Sequence, residues 1–226
     1  ITIIAWPAPN ARNTAAAHGA PLGESETKLT KEALGFEQDK SFQVPEEVLS
    51  YTRQTKTRGN ELFKEYEYDL ALNDAAKAYR IDSMNFDARL LYAEVLNNRE
   101  TRTVEDVQIA QNHYKWVIKK DPKNLRGLVG LAATYNFQQD FENTFKYINT
   151  ALRIDSKYRD AYVLKGTTYR QIGNMELAKS SYETAIQQDP KFFEAYFLLG
   201  AIYQAEENPL CIEYFTTALQ LRPDIL

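Results

Sequence analysis

Chemistry is sought first among the groups that could bond, ligate or shuttle protons. The chain holds two histidines, His18 and His113, and one cysteine, Cys211, far apart in sequence. A single cysteine excludes an internal disulfide framework and a cysteine-based zinc site. No glycine-rich phosphate loop follows a strand, and neither Gly-x-Ser-x-Gly nor His-Glu-x-x-His occurs. The many carboxylates are spread as they would be over solvated helix faces and turns. His113 stands beside Tyr114 and Trp116 in a helical pattern and reads as a packing or surface histidine. Cys211 takes a slot that calls for a small apolar group. The expectation is no catalytic residue, no metal, no cofactor and no enzyme activity.

Any site would be positioned by the elements that the bulk of the chain can form. Of 226 residues, 44% are hydrophobic and 26% charged, values of an ordinary globular chain. The net charge of -4 speaks against nucleic acid, whose phosphates need a clustered positive field. No run of 18 apolar residues exists to span a membrane. Fifteen tyrosines against two tryptophans suit half-buried faces, where the ring packs and the hydroxyl stays wet.

Residues 1–45 differ from the rest, with Pro7, Pro9, Pro21, Pro45, Gly19 and Gly23. They read as an irregular tail or linker, with a possible short helix over 24–36. The stretch could be a tether, a segment that docks in a groove, or a remnant unrelated to the array. Pro45 with Glu46 and Glu47 makes a favourable helix start, and the array is expected over 46–226.

There the residues repeat every 34 positions. Gly166, Tyr169, Ala178, Tyr182, Ala185 and Pro190 return as Gly200, Tyr203, Cys211, Phe215, Ala218 and Pro223. Five units align as 52–85, 86–124, 125–158, 159–192 and 193–225. The second carries a five-residue insertion within 97–109. The period marks an all-α solenoid of helical hairpins. A unit of two helices cannot bury its own apolar face, so neighbours stack and share a core. Two helices approach closely only where one lacks a side chain and a large residue opposite fills the groove.

On these residues the array resembles the tetratricopeptide repeat (TPR) family, a right-handed α-α superhelix. Small residues match at Gly59, Ala93, Ala132, Gly166 and Gly200, and large ones at Leu62, Leu96, Tyr135, Tyr169 and Tyr203. Thr144 departs from the pattern at a position that is usually small. The resemblance implies a concave face, built by the first helix of each unit, that takes a protein or peptide partner. Carried over by register, it names Arg53, Lys56, Asn60, Lys64, Leu90, Asn97, Asn98, Val129, Asn136, Val163, Arg170, Gln171, Phe197 and Gln204. Leu90, Val129, Val163 and Phe197 form either an apolar floor or part of the shared core. Asn97, Asn98, Asn136, Gln171 and Gln204 would form an amide rim, able to donate and accept along a peptide.

A carboxylate clamp of the kind that holds chaperone tails is matched only at Lys56 and Asn60. Leu91, Val129 and Ala133 replace its other members. The insertion, with Arg99, Glu100, Arg102, Glu105 and Asp106, is a solvent loop or a contact loop. The expected function is a non-enzymatic scaffold or adaptor in a larger protein complex. The alternatives are a regulatory or targeting array of a longer enzyme, or a self-assembling structural protein. By style the repeats are similar to exported bacterial TPR lipoproteins. That slightly favours a periplasmic or outer-membrane location over the cytoplasm, with any membrane association through a lost N-terminal anchor.

Overall fold

The computed structural model describes residues 23–33, 57–58 and 68–222. The chain divides into two compact units, 1–51 and 52–226. In the first, one helix is described, α1 (Gly23–Ala33). In the second the helices are α2 (Tyr68–Ile81), α3 (Phe86–Asn98), α4 (Val104–Lys120), α5 (Leu125–Phe137) and α6 (Phe141–Ile154). They are followed by α7 (Arg159–Gln171), α8 (Met175–Gln188), α9 (Phe193–Ala205) and α10 (Leu210–Leu221). No strand occurs among the described residues.

Helices α3 and α4 form one hairpin, α5 and α6 the next, then α7 and α8, then α9 and α10. Each hairpin packs on its neighbour, and the first helices α3, α5 and α7 touch in sequence as an inner layer. The polar residues just before the helices explain where several begin. Asn85 Oδ1 accepts from Ala88 N at 3.0 Å, Asn124 Oδ1 from Gly127 N at 2.9 Å, and Asp140 Oδ1 from Asn143 N at 3.1 Å. Each satisfies a backbone donor that the helix itself leaves open.

The turns inside three hairpins share one device. Gln139, Gly173 and Glu207 stand 34 residues apart and all have positive φ, at 59°, 84° and 54°. The next residue then bonds back into the first helix: Asp140 N to Tyr135 O, Asn174 N to Tyr169 O, and Asn208 N to Tyr203 O. Only the middle one is a glycine, the residue that takes this conformation without steric cost.

The core is shared between units, as the stacking argument requires. Leu90, Ala93 and Leu96 of α3 pack with Ala110, Tyr114 and Val117 of α4 and with Leu131 of α5. Leu128 and Ala132 of α5 pack with Ile148 and Ala151 of α6 and Ala161 of α7. Rings lie over glycines where helices cross. A Cβ at Gly166 would stand 2.6 Å from Tyr182 Cε1, and one at Gly200 would stand 2.8 Å from the Phe215 ring. Tyr114 reaches further, across to Gly130 in the following unit. Thr144 fits its small position by turning its hydroxyl back to donate to Asp140 O at 2.8 Å.

The five inserted residues are divided. The α3–α4 turn has five residues (99–103) where the next two hairpins have three (138–140 and 172–174), and α4 has 17 residues where α6 has 14. The longer helix is secured by a reciprocal cap: Thr103 Oγ1 accepts from Asp106 N, and Asp106 accepts from Thr103 N at 2.8 Å.

Candidate functional site

Three consecutive first helices enclose a hollow of about 490 Å³. Asn97 and Asn98 come from the end of α3, Ala133, Asn136 and Phe137 from α5, and Leu164, Thr167 and Gln171 from α7. Arg102 enters from the lengthened turn, and Gln139 and Phe141 close one side. On α5 and α7 the lining residues recur about one helical turn apart, and the register of 34 brings Ala133 level with Thr167 and Phe137 level with Gln171.

Polar side chains of this lining are buried. Asn97 is 8% exposed and Asn136 6%, and both Oδ1 atoms lack a hydrogen-bond partner, as does the buried Nε of Arg102. These are the buried side-chain atoms without partners among the described residues. Arg102 also lays its guanidinium over the Phe137 ring at 4.8 Å, which holds it toward the hollow. Thr167 Oγ1 shares a hydrogen bond with Tyr182 Oη at 3.1 Å, tying the wall to the helix behind it.

A charged patch adjoins the inner layer. Arg126 grips Glu94 with two bonds of 3.0 and 2.7 Å, and approaches Asp87 at 3.6 Å. The pair staples α5 to α3 across the unit boundary. Burial pushes the Glu94 carboxyl upward, against the pull of Arg126.

The residues expected on the concave face divide in four. Asn97, Asn98, Asn136 and Gln171 meet at the hollow. Arg170 and Gln204 are exposed but outside its lining. Arg53, Lys56, Asn60 and Lys64 lie outside the described residues, as does the segment 1–6.

The apolar row, open as floor or core from sequence, divides between the two. Leu90 is 2% exposed and belongs to the core, because α3 is covered by α2, α4 and α5 together. Val129 and Val163 are part-buried against core clusters. Phe197, in the same register, is 51% exposed: among the described residues no hairpin follows α9 and α10 to cover it. The apolar row is therefore core at one end and surface at the other.

Arg102, Thr167 and Leu164 were not assigned to the face from sequence. Register points Thr167 inward, but Arg102 lies in an inserted turn that no repeat position describes. Among the described residues, no helix is long and apolar enough to cross a membrane, and no group of three or more His, Cys, Asp or Glu gathers to hold a metal.

Comparison with known proteins gives two separate likenesses. A family model described as TPR repeat matches residues 166–206. A solved thermophilic TPR protein of Thermus thermophilus superposes with a TM-score of 0.67 at 18% identity, covering 77% of this chain and 93% of that one. The pilF structure of Pseudomonas aeruginosa gives 0.55 at 17%, covering 76% and 77%. The helical array thus has the fold of a TPR solenoid.

The front of the chain resembles something else. The model for the thiamine diphosphate binding domain of transketolase matches residues 1–92. The transketolase of Mycobacterium leprae (strain TN) is 47% identical over 68 residues, 30% of this chain and 10% of that protein. The chain spans about a tenth of the length of the transketolases it matches. The described residues of that stretch are α1, residues 57–58, α2 and the first half of α3.

Proposed function

We propose that this TPR solenoid is a protein-interaction scaffold that holds a segment of a partner protein against its inner layer. One observation carries the reading: the hollow between α3, α5 and α7, lined by Asn97, Asn98, Asn136, Thr167 and Gln171. A side-chain hollow of this size suits one or two residues of an inserted peptide, and the flanking inner helices offer Arg170, Gln171 and Gln204 for further contacts. Panning a random peptide library on the full chain tests it. Thr167→Trp and Ala133→Trp place bulk in the hollow from two helices, and each should abolish recovery of the selected peptides while the helical circular dichroism is kept. Equal recovery on the wild type and on both variants would overturn the reading.

A second reading is favoured by the match over residues 1–92. Joined to a transketolase-like stretch, the array would target or regulate a longer chain that includes an enzyme, bringing it to the partner held by the solenoid. The full open reading frame tests this directly. A transketolase catalytic core continuous with the array supports it, and an array framed by non-enzymatic sequence removes it.

A further inference from the structure

The hollow holds one charge, and its own walls supply nothing to meet it. The lining has Arg102 and no aspartate or glutamate, in a chain whose 31 acidic residues outnumber its 27 basic ones. The carboxylates of the adjoining elements are engaged elsewhere or exposed. Glu94 of α3 is held by Arg126 at 3.0 and 2.7 Å. Asp106 caps α4 and lies 3.6 Å from Arg99. Asp140 caps α6 and also accepts from Asn143 Nδ2 at 2.7 Å. Glu100 and Glu105 are exposed. Arg99, Arg126 and Arg159 each meet a carboxylate, whereas among the described residues Arg102 meets none.

From this we infer that the group entering the hollow is an acidic side chain of the partner segment, a glutamate or aspartate that pairs with Arg102. This rests on the scaffold reading given above and says what that scaffold selects. The guanidinium is already laid over the Phe137 ring, 4.8 Å from its centroid, so less ordering is left to be done when an ion pair forms. Its planar fork of N–H donors matches the two oxygens of a carboxylate. Gln171, exposed at the end of α7 and part of the same lining, has a side-chain amide that can donate as well.

Other groups fit less well. A lysine or arginine would meet Arg102 as a like charge, and a neutral side chain leaves that charge unmatched. A phosphate brings nearly two charges, and the lining holds no second cation for the excess. The inner layer is also polarised along its helices. Asp87, Asp160 and Glu194 stand in the first turns of α3, α7 and α9. The hollow lies at the other end of the layer, where Arg170 stands in the last turn of α7. That contrast fixes the end at which an acidic residue is accepted.

The test uses the full chain and a random peptide library joined to its carrier through the peptide C-terminus, so that no free chain end competes. The expected result is a glutamate or aspartate at one fixed position, with affinity falling about tenfold or more when it is replaced by glutamine or asparagine. Arg102→Met should erase the acidic preference at that position, and Arg102→Glu should turn it toward lysine or arginine. The residue lies in a turn, so the urea midpoints of both variants should stay near that of the wild type. Peptides that are lost in Thr167→Trp but keep the same preference in Arg102→Glu, or that fix no acidic residue, would overturn the acidic assignment and leave the scaffold standing. Equal recovery on the wild type and the Thr167→Trp variant, including none on either, would remove both.

Discussion

The ring of Tyr182 lies against Gly166, so close that a Cβ on the glycine would stand 2.6 Å from Cε1 and 2.7 Å from Cδ1. The tyrosine is fully buried and anchored by its hydroxyl to Thr167. Neither partner has room to move. Gly166→Ala should therefore destabilise the array by about 1–3 kcal/mol, the usual cost of overpacking, read as a lower urea midpoint. Gly173→Ala is the contrast. Nothing lies within 4 Å of a Cβ there, so its cost comes from φ of 84° alone, about 1 kcal/mol.

Glu207 has that backbone conformation without being a glycine. Glu207→Gly should stabilise the last hairpin by about 0.5–1 kcal/mol. The gain is measured by thermal denaturation against Glu207→Ala, which should show none of it.

Sequence register made the repeat legible because the contact it reports is local. Gly166 with Tyr182 and Gly200 with Phe215 sit within one hairpin, and their spacing returns every 34 residues. Tyr114 with Gly130 was not legible, since that ring crosses into the next unit. Leu90 and Phe197 occupy one register position and differ from 2% to 51% exposed. Exposure depends on how many hairpins flank the residue, which no single repeat records. Register puts Asn97, Asn136 and Gln171 on the inner face, and all three line the hollow. Arg102 is not so placed, because the five extra residues could have gone wholly into the turn, and three of them lengthen α4 instead.

That difference in burial gives a third prediction. Phe197→Asp should leave the helical signal and the urea midpoint nearly unchanged, since its ring is half in solvent. Val163→Asp places a carboxylate against the cluster of Leu199 and Tyr182 and should cost about 3 kcal/mol or more. A comparable loss in both variants would show that Phe197 is covered in solution.

His113 supplies the pH dependence. It is 8% exposed, with Tyr79 and Tyr92 rings at 4.7 and 5.3 Å, and its Nδ1 accepts from Arg89 Nη1 at 3.2 Å. Burial first, and the Arg89 charge second, push its pKa down from 6.5 to about 4. The folded state thus binds fewer protons than the unfolded one between those values. Its contribution to stability is full above pH 6.5 and declines as pH falls toward 4. Denaturation midpoints should drop over that window, and His113→Gln should flatten the slope there.

Arg126 joins two units through Glu94, and its loss should be felt at the seam. Glu94→Gln should destabilise by about 1–3 kcal/mol, because Arg126 then keeps its charge without its bidentate partner. Hydrogen exchange should locate the loosening between α3 and α5.

The turn with a left-handed residue, Gln139, and the inward amide, Asn136, travel together inside a single hairpin of 34 residues. Gene duplication of 125–158 would therefore add another copy of Asn136 at the same height along the inner wall, with no new fold to invent. An array that lengthens this way extends its inner wall by one step per copied hairpin, so the span of that wall is set by how many times the hairpin has been copied.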